Sequence, residues 1–175
     1  MKKSNRTLLD IMDQNLTVLF CGINPGLYSA AVGHNFARPG NRFWKAMAGA
    51  GFTDRVFSPA EERELLRLGY GITNIVERAT ARADELEKVE LVEGARELSR
   101  KVLRYQPKVL AIVGVTAYRV AFEFPKAKLG LQQETIGKTI VWVLPNTSGL
   151  NAHYQLPELV RYFQTLRSYV KRQNR

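Results

Sequence analysis

The sequence predicts an α/β fold with a central parallel β-sheet and helices on both faces. Three short runs are apolar on both faces instead of at alternate positions, and long segments with helical periodicity separate them. Continuous apolar runs are typical of strands that are buried on both sides of a parallel sheet. Alternation of strands and helices favours a sheet covered by two helical layers. At 175 residues, the chain is expected to form a single domain over residues 1–175.

The predicted strands are residues 16–21, 109–113 and 139–144. Pro107 and Gly114 bound the second run, and Pro145 ends the third. Proline and glycine are common at strand boundaries because they disrupt the regular hydrogen-bonding pattern.

Four helices are predicted from apolar spacing and from end signals: residues 41–50, a segment beginning at Pro59, residues 87–105 and residues 157–172. Ser58 before Pro59, with two glutamates in the first turn, is typical of a helix start. Helical spacing in the third segment predicts a buried face made of Leu91, Leu98, Val102 and Leu103.

Ligands of such folds bind outside the carboxyl ends of the parallel strands. This rule selects the loop at residues 22–39 after the first strand and the loop at residues 145–153 after the third. The short segment 114–116 follows the second strand and is expected at the same edge. Functional residues are therefore expected where these loops meet.

The charge balance points to a polyanionic partner. The chain has 26 Lys and Arg against 16 Asp and Glu, for a net charge of +10. Nucleic acid is favoured over an anionic membrane, although a generally basic surface would also explain the charge. No stretch approaches 18 apolar residues, so no membrane span is expected.

Metal and disulfide sites are not expected. Cys21 is the single cysteine and lies in an apolar run, which predicts a buried thiol in a reducing compartment such as a cytoplasm. His34 and His153 are far apart in sequence and lack the spacing of a zinc site. We expect neither a metal nor another cofactor.

The two loops allow more than one interpretation by themselves. Residues 22–26, Gly-Ile-Asn-Pro-Gly, lack the spacing of a dinucleotide site and the lysine of a phosphate-binding loop. A purely structural turn would also favour these residues. Leu150 follows a glycine in a polar loop. An exposed leucine is often unremarkable, but on a basic protein it is also the kind of wedge that unstacks bases.

Taken together, the chain resembles the mismatch-specific uracil-DNA glycosylases, the bacterial relatives of thymine-DNA glycosylase. Five blocks carry the resemblance in order between residues 16 and 162: GINPGLYSA with NFARPGNRFWKAM, GYGITNIVERAT, YQPKVLAIVG and WVLPNTSGLNA. The resemblance implies a three-layer α/β/α sandwich with a mostly parallel sheet. It also implies a monomer without cofactor that removes uracil, related lesions such as ethenocytosine and, weakly, thymine opposite guanine in double-stranded DNA.

The resemblance assigns catalysis to two amides. Asn24 matches the residue that holds the attacking water, and Asn146 matches a loop asparagine that supports catalysis, although capping of its turn would also explain it. An amide orients water through its carbonyl oxygen but takes no proton. The chemistry permits this because base departure passes through an oxocarbenium-like state. Neither loop contains a lysine, so a monofunctional enzyme without strand cleavage is expected.

The resemblance also assigns base and DNA contacts. Phe36 matches the aromatic residue on which the flipped base stacks, although a core phenylalanine is the alternative. Backbone groups of Ile23 and Phe36 would meet the base edge, and Ser29 matches a small polar residue beside the base. Leu150 matches the wedge, and backbone groups of Gly149 and Asn151 would face the orphaned guanine.

Several positions depart from the bacterial pattern or leave the function open. Ala152 stands where an arginine is expected, and Asn74 is more typical of the thymine-DNA glycosylase branch. Removal of xanthine or hypoxanthine on the same scaffold, or mismatch binding without catalysis, remain alternatives. His34 is expected to be a solvated loop residue. The basic face of the last helix is interpreted as solvated unless it borders the cleft: Arg161, Arg167, Lys171, Arg172 and Arg175.

Overall fold

The computed structural model describes residues 7–175 and contains one five-stranded sheet in the order β2-β1-β3-β5-β4. The β1–β2, β1–β3 and β3–β5 pairs are parallel, and only β4 runs antiparallel to its neighbour. The strands are β1 (Val18–Gly22), β2 (Tyr70–Asn74), β3 (Val109–Val113), β4 (Gly130–Ile136) and β5 (Thr139–Leu144).

Five α-helices and two 3₁₀ helices connect the strands within the described residues. The α-helices are α1 (Leu27–Val32), α2 (Phe43–Gly49), α3 (Lys88–Tyr105), α4 (Val115–Ala121) and α5 (Leu156–Gln173). The 3₁₀ helices are Pro59–Leu68 and Ala83–Glu85. None of the helices in residues 7–175 is both long and apolar enough to cross a membrane.

The two faces of the sheet are covered by different helices. Phe20 packs with Phe43 of α2 and Phe163 of α5 on one face. On the other face, Leu19 belongs to the cluster formed by α3 and α4. Successive side chains of a strand point to opposite faces of the sheet. Since helices cover both faces, β1 is buried at every position. The predicted α/β fold with three layers is therefore confirmed.

Two strands escaped prediction for a physical reason. Both β2 and β4 lie at the edges of the sheet, and their sequences YGITN and GLQQETI are too polar to form an apolar run. Edge strands are commonly short or polar, which discourages pairing with other chains. The short helices α1 and α4 were not predicted either.

Two helix predictions need correction. The segment beginning at Pro59 is a 3₁₀ helix over all ten residues. Ser58 is its N-cap residue as predicted, and the Glu61 carboxylate accepts from Ser58 N–H at 2.8 Å. Leu103 is 54% exposed, so it does not belong to the buried face of α3. Leu98 and Val102 already fill that face, and Leu103 lies one residue past its edge.

Helix α3 lies directly on the backbone that follows β2. A Cβ atom on Gly94 would lie 2.3 Å from the carbonyl oxygen of Ile75. That separation is far inside van der Waals contact and involves backbone, which cannot rotate away. A glycine at position 94 therefore sets the distance between α3 and the segment that leaves the carboxyl end of β2.

We expect Gly94→Ala to destabilise the protein by more than about 2 kcal/mol, because α3 must move away from the sheet. In an open helix, the same change would stabilise by about 1 kcal/mol. Urea denaturation measures the free energy of unfolding. Val89→Ala, at an exposed position of α3, is the control and should change stability by less than about 0.5 kcal/mol. A stabilised Gly94→Ala protein would contradict this packing.

Candidate active site

The three loops selected from the sequence line one cleft of about 870 Å³ at the carboxyl ends of the parallel strands. The first loop contributes residues 22–29, Asn35, Phe36 and Arg38, and the third contributes residues 114–116. The second loop contributes Pro145, Asn146, Ser148, Leu150, Asn151 and His153. The cleft also contains Asn74 and residues 80–84. Sequence reasoning did not place this segment at the cleft because β2 was not recognised as a strand.

The amide of Asn24 has a single possible orientation. Its Nδ2 donates to the backbone oxygen of Arg78 and to Thr80 Oγ1, both at 2.8 Å. Thr80 Oγ1 donates its own proton to the backbone oxygen of Arg82 at 2.6 Å, so it can only accept from Asn24. Both amide protons are thus used. Within residues 7–175 no donor bonds to Asn24 Oδ1, which leaves an acceptor at the cleft.

The first loop is tied to the segment after β2 by its backbone. Gly22 and Ile23 accept hydrogen bonds from Ile75 N–H and Val76 N–H, both at 3.0 Å. The N–H of Ile23 has no backbone acceptor among the described residues. Ile23 lines the cleft, so this unpaired N–H is a candidate donor to a ligand.

Phe36 lines the cleft and also packs on the core. A place at the cleft and a place in the core, the two alternatives predicted for it, are therefore compatible. Its ring stacks on Phe43 with a centroid distance of 4.0 Å and an interplanar angle of 18°. Its φ of 52° lies in the left-handed region, which costs a residue with a side chain about 1 kcal/mol or more. Ser29 is buried, and its Oγ accepts from Ala37 N–H at 3.0 Å. This bond holds the strained turn.

Asn146 caps the turn of the second loop. Its Oδ1 accepts from Ser148 N–H at 3.0 Å, and its backbone oxygen accepts from Asn151 Nδ2 at 2.9 Å. The turn does not use the amide N–H₂ of Asn146, which lines the cleft. The capping role and a contact with a ligand are therefore compatible.

Leu150 lies at an exposed tip of the second loop, as predicted, with 56% of its surface accessible. Gly149 packs against the first loop, since a Cβ atom there would lie 2.9 Å from the Gly40 oxygen. The backbone groups of Gly149 make no hydrogen bond within residues 7–175. Those of Asn151 are engaged, because its N–H donates to Ser148 and its carbonyl accepts from Arg42.

Arg42 holds the second loop through backbone carbonyls, a role that the sequence did not indicate. Its guanidinium donates to four of them: Thr147 at 3.4 Å, Ser148 at 2.7 Å, Asn151 at 3.1 Å and Tyr154. Its own N–H donates to Thr147 O at 3.0 Å. The planar fork of arginine suits this arrangement because its donors have fixed directions. The loop is therefore ordered before any ligand binds.

A buried polar network lies behind Phe36. The carboxylate of Glu62 accepts from the backbone N–H of Asn35 at 2.7 Å, and Asn35 Oδ1 accepts from Asn74 Nδ2 at 3.0 Å. Glu62 and Asn35 were not predicted as site residues. His34 was expected to be solvated, which is wrong for part of its ring: Nδ1 is buried without a hydrogen bond, 3.6 Å from Glu62 Oε1. His34 does not line the cleft.

Charged groups at the cleft are few. Arg38 is exposed and makes no ion pair within the described part of the chain, whereas Arg82 pairs with Asp84 at 3.1 Å. The basic residues of α5 singled out from the sequence do not line the cleft. Burial raises the pKa of the Cys21 thiol, which keeps it protonated and inert. Residues 7–175 contain no cluster of His, Cys, Asp or Glu that could hold a metal.

The sequence matches the Uracil DNA glycosylase superfamily over residues 9–170. The chain belongs to this superfamily. A solved NMR structure from Methanosarcina acetivorans, provisionally described as a uracil DNA glycosylase, is 17% identical. The match covers 93% of this chain and 98% of that one with a TM-score of 0.61, which shows a shared fold. Superfamily membership makes the protein a DNA glycosylase, a hydrolase of N-glycosyl bonds that acts on DNA.

We expect Arg42→Ala to loosen the second loop of this glycosylase. Each charge-assisted bond contributes about 1.5–3 kcal/mol, and Arg42 makes several to one loop. Hydrogen exchange at the amides of residues 148–153 should accelerate by about tenfold or more, and Arg42→Lys should recover only part of the protection. Lys45→Ala, an exposed change in α2, the helix that begins directly after Arg42, is the control. Unchanged exchange in Arg42→Ala would show that the loop is ordered without the guanidinium.

Proposed function

We propose that this protein is a monofunctional, mismatch-specific uracil-DNA glycosylase. Its substrates would be uracil, related lesions such as ethenocytosine and, weakly, thymine opposite guanine in double-stranded DNA. The observation that carries the proposal is the locked amide of Asn24, which leaves only a carbonyl oxygen to meet a water in the cleft. The proposed enzyme acts as a monomer without cofactor in the bacterial cytoplasm.

The proposed reaction needs no strong base. The bond between C1′ and the base nitrogen breaks first, and its electron pair leaves with the base as a delocalised anion. The sugar then resembles an oxocarbenium ion, which water attacks without prior deprotonation. Asn24 Oδ1 accepts a hydrogen bond from that water and directs its lone pair at C1′. After the new C–O bond forms, the extra proton passes to solvent or to the released base.

Stabilisation of the departing base anion would supply most of the rate. The free N–H of Ile23 and the amide of Asn146 are donors at the cleft, and fixed donors of this kind stabilise developing negative charge. Phe36 offers a ring on which the base would stack, while Phe43 supports the ring from behind. Ser29 contributes by holding the turn that carries Phe36.

Access to the base would depend on the second loop. An enzyme that acts on a base in duplex DNA must first extrude it, and an apolar side chain can fill the gap. Leu150 is exposed on a loop that Arg42 has already ordered, so little conformational entropy is lost on insertion. The backbone groups of Gly149, which make no hydrogen bond within residues 7–175, would meet the orphaned guanine, with Asn151 beside it.

A panel of duplexes under single-turnover conditions tests the proposal. Uracil, ethenocytosine, thymine, xanthine and hypoxanthine would each be placed opposite guanine, and uracil also opposite adenine. We expect the fastest removal for uracil opposite guanine. Faster removal of xanthine or hypoxanthine would assign the protein to deaminated purines, and tight mismatch binding without release of any base would make it a binding module.

Asn24→Ala should lower the single-turnover rate by about 10²-fold or more, the usual effect of losing one preorganised polar group. Thr80→Val keeps the amide but removes one of its two acceptors, so an intermediate loss is expected. Asn174→Ala, at an exposed position near the end of the chain, is the control and should keep the wild-type rate. Full activity in a well-folded Asn24→Ala protein would refute the catalytic role.

Leu150→Ala should slow base removal without lowering the melting temperature. A wedge offsets an unstacking cost of a few kcal/mol, so uracil opposite adenine should suffer more than uracil in the weaker pair with guanine. Leu131→Ala is a matched control because Leu131 is similarly exposed, on β4, and does not line the cleft. Equal slowing on both substrates, or a melting temperature well below that of the control, would make Leu150 a packing residue.

A further inference from the structure

Arg38 is a positive side chain at the cleft that has no partner in the described part of the chain. Among the described residues that line the cleft, Arg38 and Arg82 are the only lysines or arginines. Arg82 Nε lies 3.1 Å from Asp84 Oδ1, so a neighbouring carboxylate opposes its charge. Arg38 is exposed, and its side chain makes neither a hydrogen bond nor an ion pair with residues 7–175. Its guanidinium is therefore available to an anion.

The loop that carries Leu150 does not supply a positive charge of its own. Residues 145–153 contain neither lysine nor arginine. Arg42 lies beside this loop, but its guanidinium donates to four backbone carbonyls and it does not line the cleft. Each DNA strand carries one negative charge for about every 3.4 Å of its axis, and proteins that bind DNA place cations against these charges. Within residues 7–175, the cation that remains for this role at the cleft is Arg38.

Arg38 lies in a turn that is fixed to the second loop. Asn41 N–H donates to the Arg38 carbonyl at 2.9 Å, which closes the turn. Asn41 Oδ1 accepts from Thr147 Oγ1 at 3.0 Å. The Gly40 oxygen packs closely on Gly149, since a Cβ atom there would lie 2.9 Å from it. The backbone of Arg38 thus has a defined position relative to the second loop before DNA binds.

The turn lies between the two sites that base extrusion would fill. Phe36, the proposed stacking ring, precedes Arg38 by two residues, and Gly40, which contacts the second loop, follows it by two. Two residues of chain span at most about 7 Å. The sugar-phosphate backbone of an extruded nucleotide must pass from the base on Phe36 back to the stack, where Leu150 fills the gap. A phosphate next to that nucleotide is therefore expected close to Arg38.

We propose that Arg38 is a DNA-contact residue that binds a phosphate adjacent to the extruded nucleotide. This inference rests on the proposed function, since it requires a base to leave the duplex. The planar guanidinium presents N–H donors that match two oxygens of one phosphate. The pair holds the nucleotide in its extruded position while Leu150 occupies the gap. It also neutralises the guanidinium, whose free charge would oppose a sugar that becomes positive as the base leaves.

Removal of single phosphate charges tests this contact. The duplex carries a tetrahydrofuran residue, a stable mimic of the product sugar, opposite guanine, with a neutral methylphosphonate on its 5′ or its 3′ side. We expect the wild type to bind one of the two neutral duplexes about fivefold or more weakly than the duplex with all its phosphates, because charge-assisted hydrogen bonds are the stronger kind. Arg38→Ala should bind both of these duplexes equally, since the two changes remove the same pair.

Two further variants separate a specific contact from general attraction to DNA. Arg172→Ala removes the same charge from α5, at an exposed position that does not line the cleft, and should respond to the methylphosphonates as the wild type does. Arg38→Lys keeps the charge without the planar fork and should recover part of the affinity. The slope of log K against log salt should become shallower by about 0.9 in Arg38→Ala, the value for one phosphate, and stay unchanged in Arg172→Ala.

The binding assay does not depend on catalysis, so its outcome is separate from that of the lesion panel. A wild type whose methylphosphonate effect is lost in Arg38→Ala, but which releases no uracil, would refute the proposed function and keep the phosphate contact. A wild type that removes uracil while Arg38→Ala remains as sensitive to both neutral duplexes would overturn the contact. A wild type that is insensitive to both methylphosphonates would overturn it as well.

Discussion

Asn24 donates both amide protons to the segment that follows β2, and the geometry of the cleft depends on that pair of bonds. They join the loop after β1 to residues 78–80. This contact exists only because β2 pairs in parallel with β1, so that both strands end at the same edge. The backbone bonds from Ile75 and Val76 bring the two loops into register. The turn at Phe36, with its left-handed backbone conformation, adds a further wall to the cleft.

An amide suits this position better than a carboxylate would. The partners of Asn24 Nδ2 are two oxygen atoms, one of them a backbone carbonyl that can only accept. An ionised carboxylate would face that carbonyl without a proton between them, which is unfavourable in a partly buried site. The surrounding backbone therefore selects the residue that positions water without taking its proton. The amides of Asn24 and Asn35 share this property, because each donates to an acceptor that cannot act as a donor: the Arg78 carbonyl for Asn24 and the Glu62 carboxylate for Asn35.

The sequence was informative where the signal is local and periodic. Apolar runs identified β1, β3 and β5, and the rule that parallel strands end at one edge brought the correct loops together. The exposed Leu150 followed from a glycine-flanked position in a polar loop. The edge strands β2 and β4 could not be recognised because their residues are largely polar.

Contacts between distant residues left no pattern in the sequence. Glu62 meets Asn35 across 27 positions, and Arg42 meets the second loop across more than 100. A buried glutamate in a helix with two neighbouring acids looks like an ordinary surface residue. Such roles follow from which donors and acceptors are enclosed together, and enclosure is a property of the folded chain. The same limit applies to His34, whose ring turned out to be partly enclosed beside Glu62.

The hydrogen bonds from Arg42 to the second loop determine which substitutions that loop can accept during evolution. Every acceptor of the Arg42 guanidinium is a backbone carbonyl, so these bonds do not depend on which side chains the loop carries. The side chains of Leu150 and Ala152 take no part in the hydrogen bonds of the loop, unlike those of Ser148 and Asn151, so they can vary while the path of the loop is preserved. Substitutions at such positions can therefore change the surface offered to DNA while the backbone of the loop keeps its conformation. In this way a family can acquire new substrates without a change of fold.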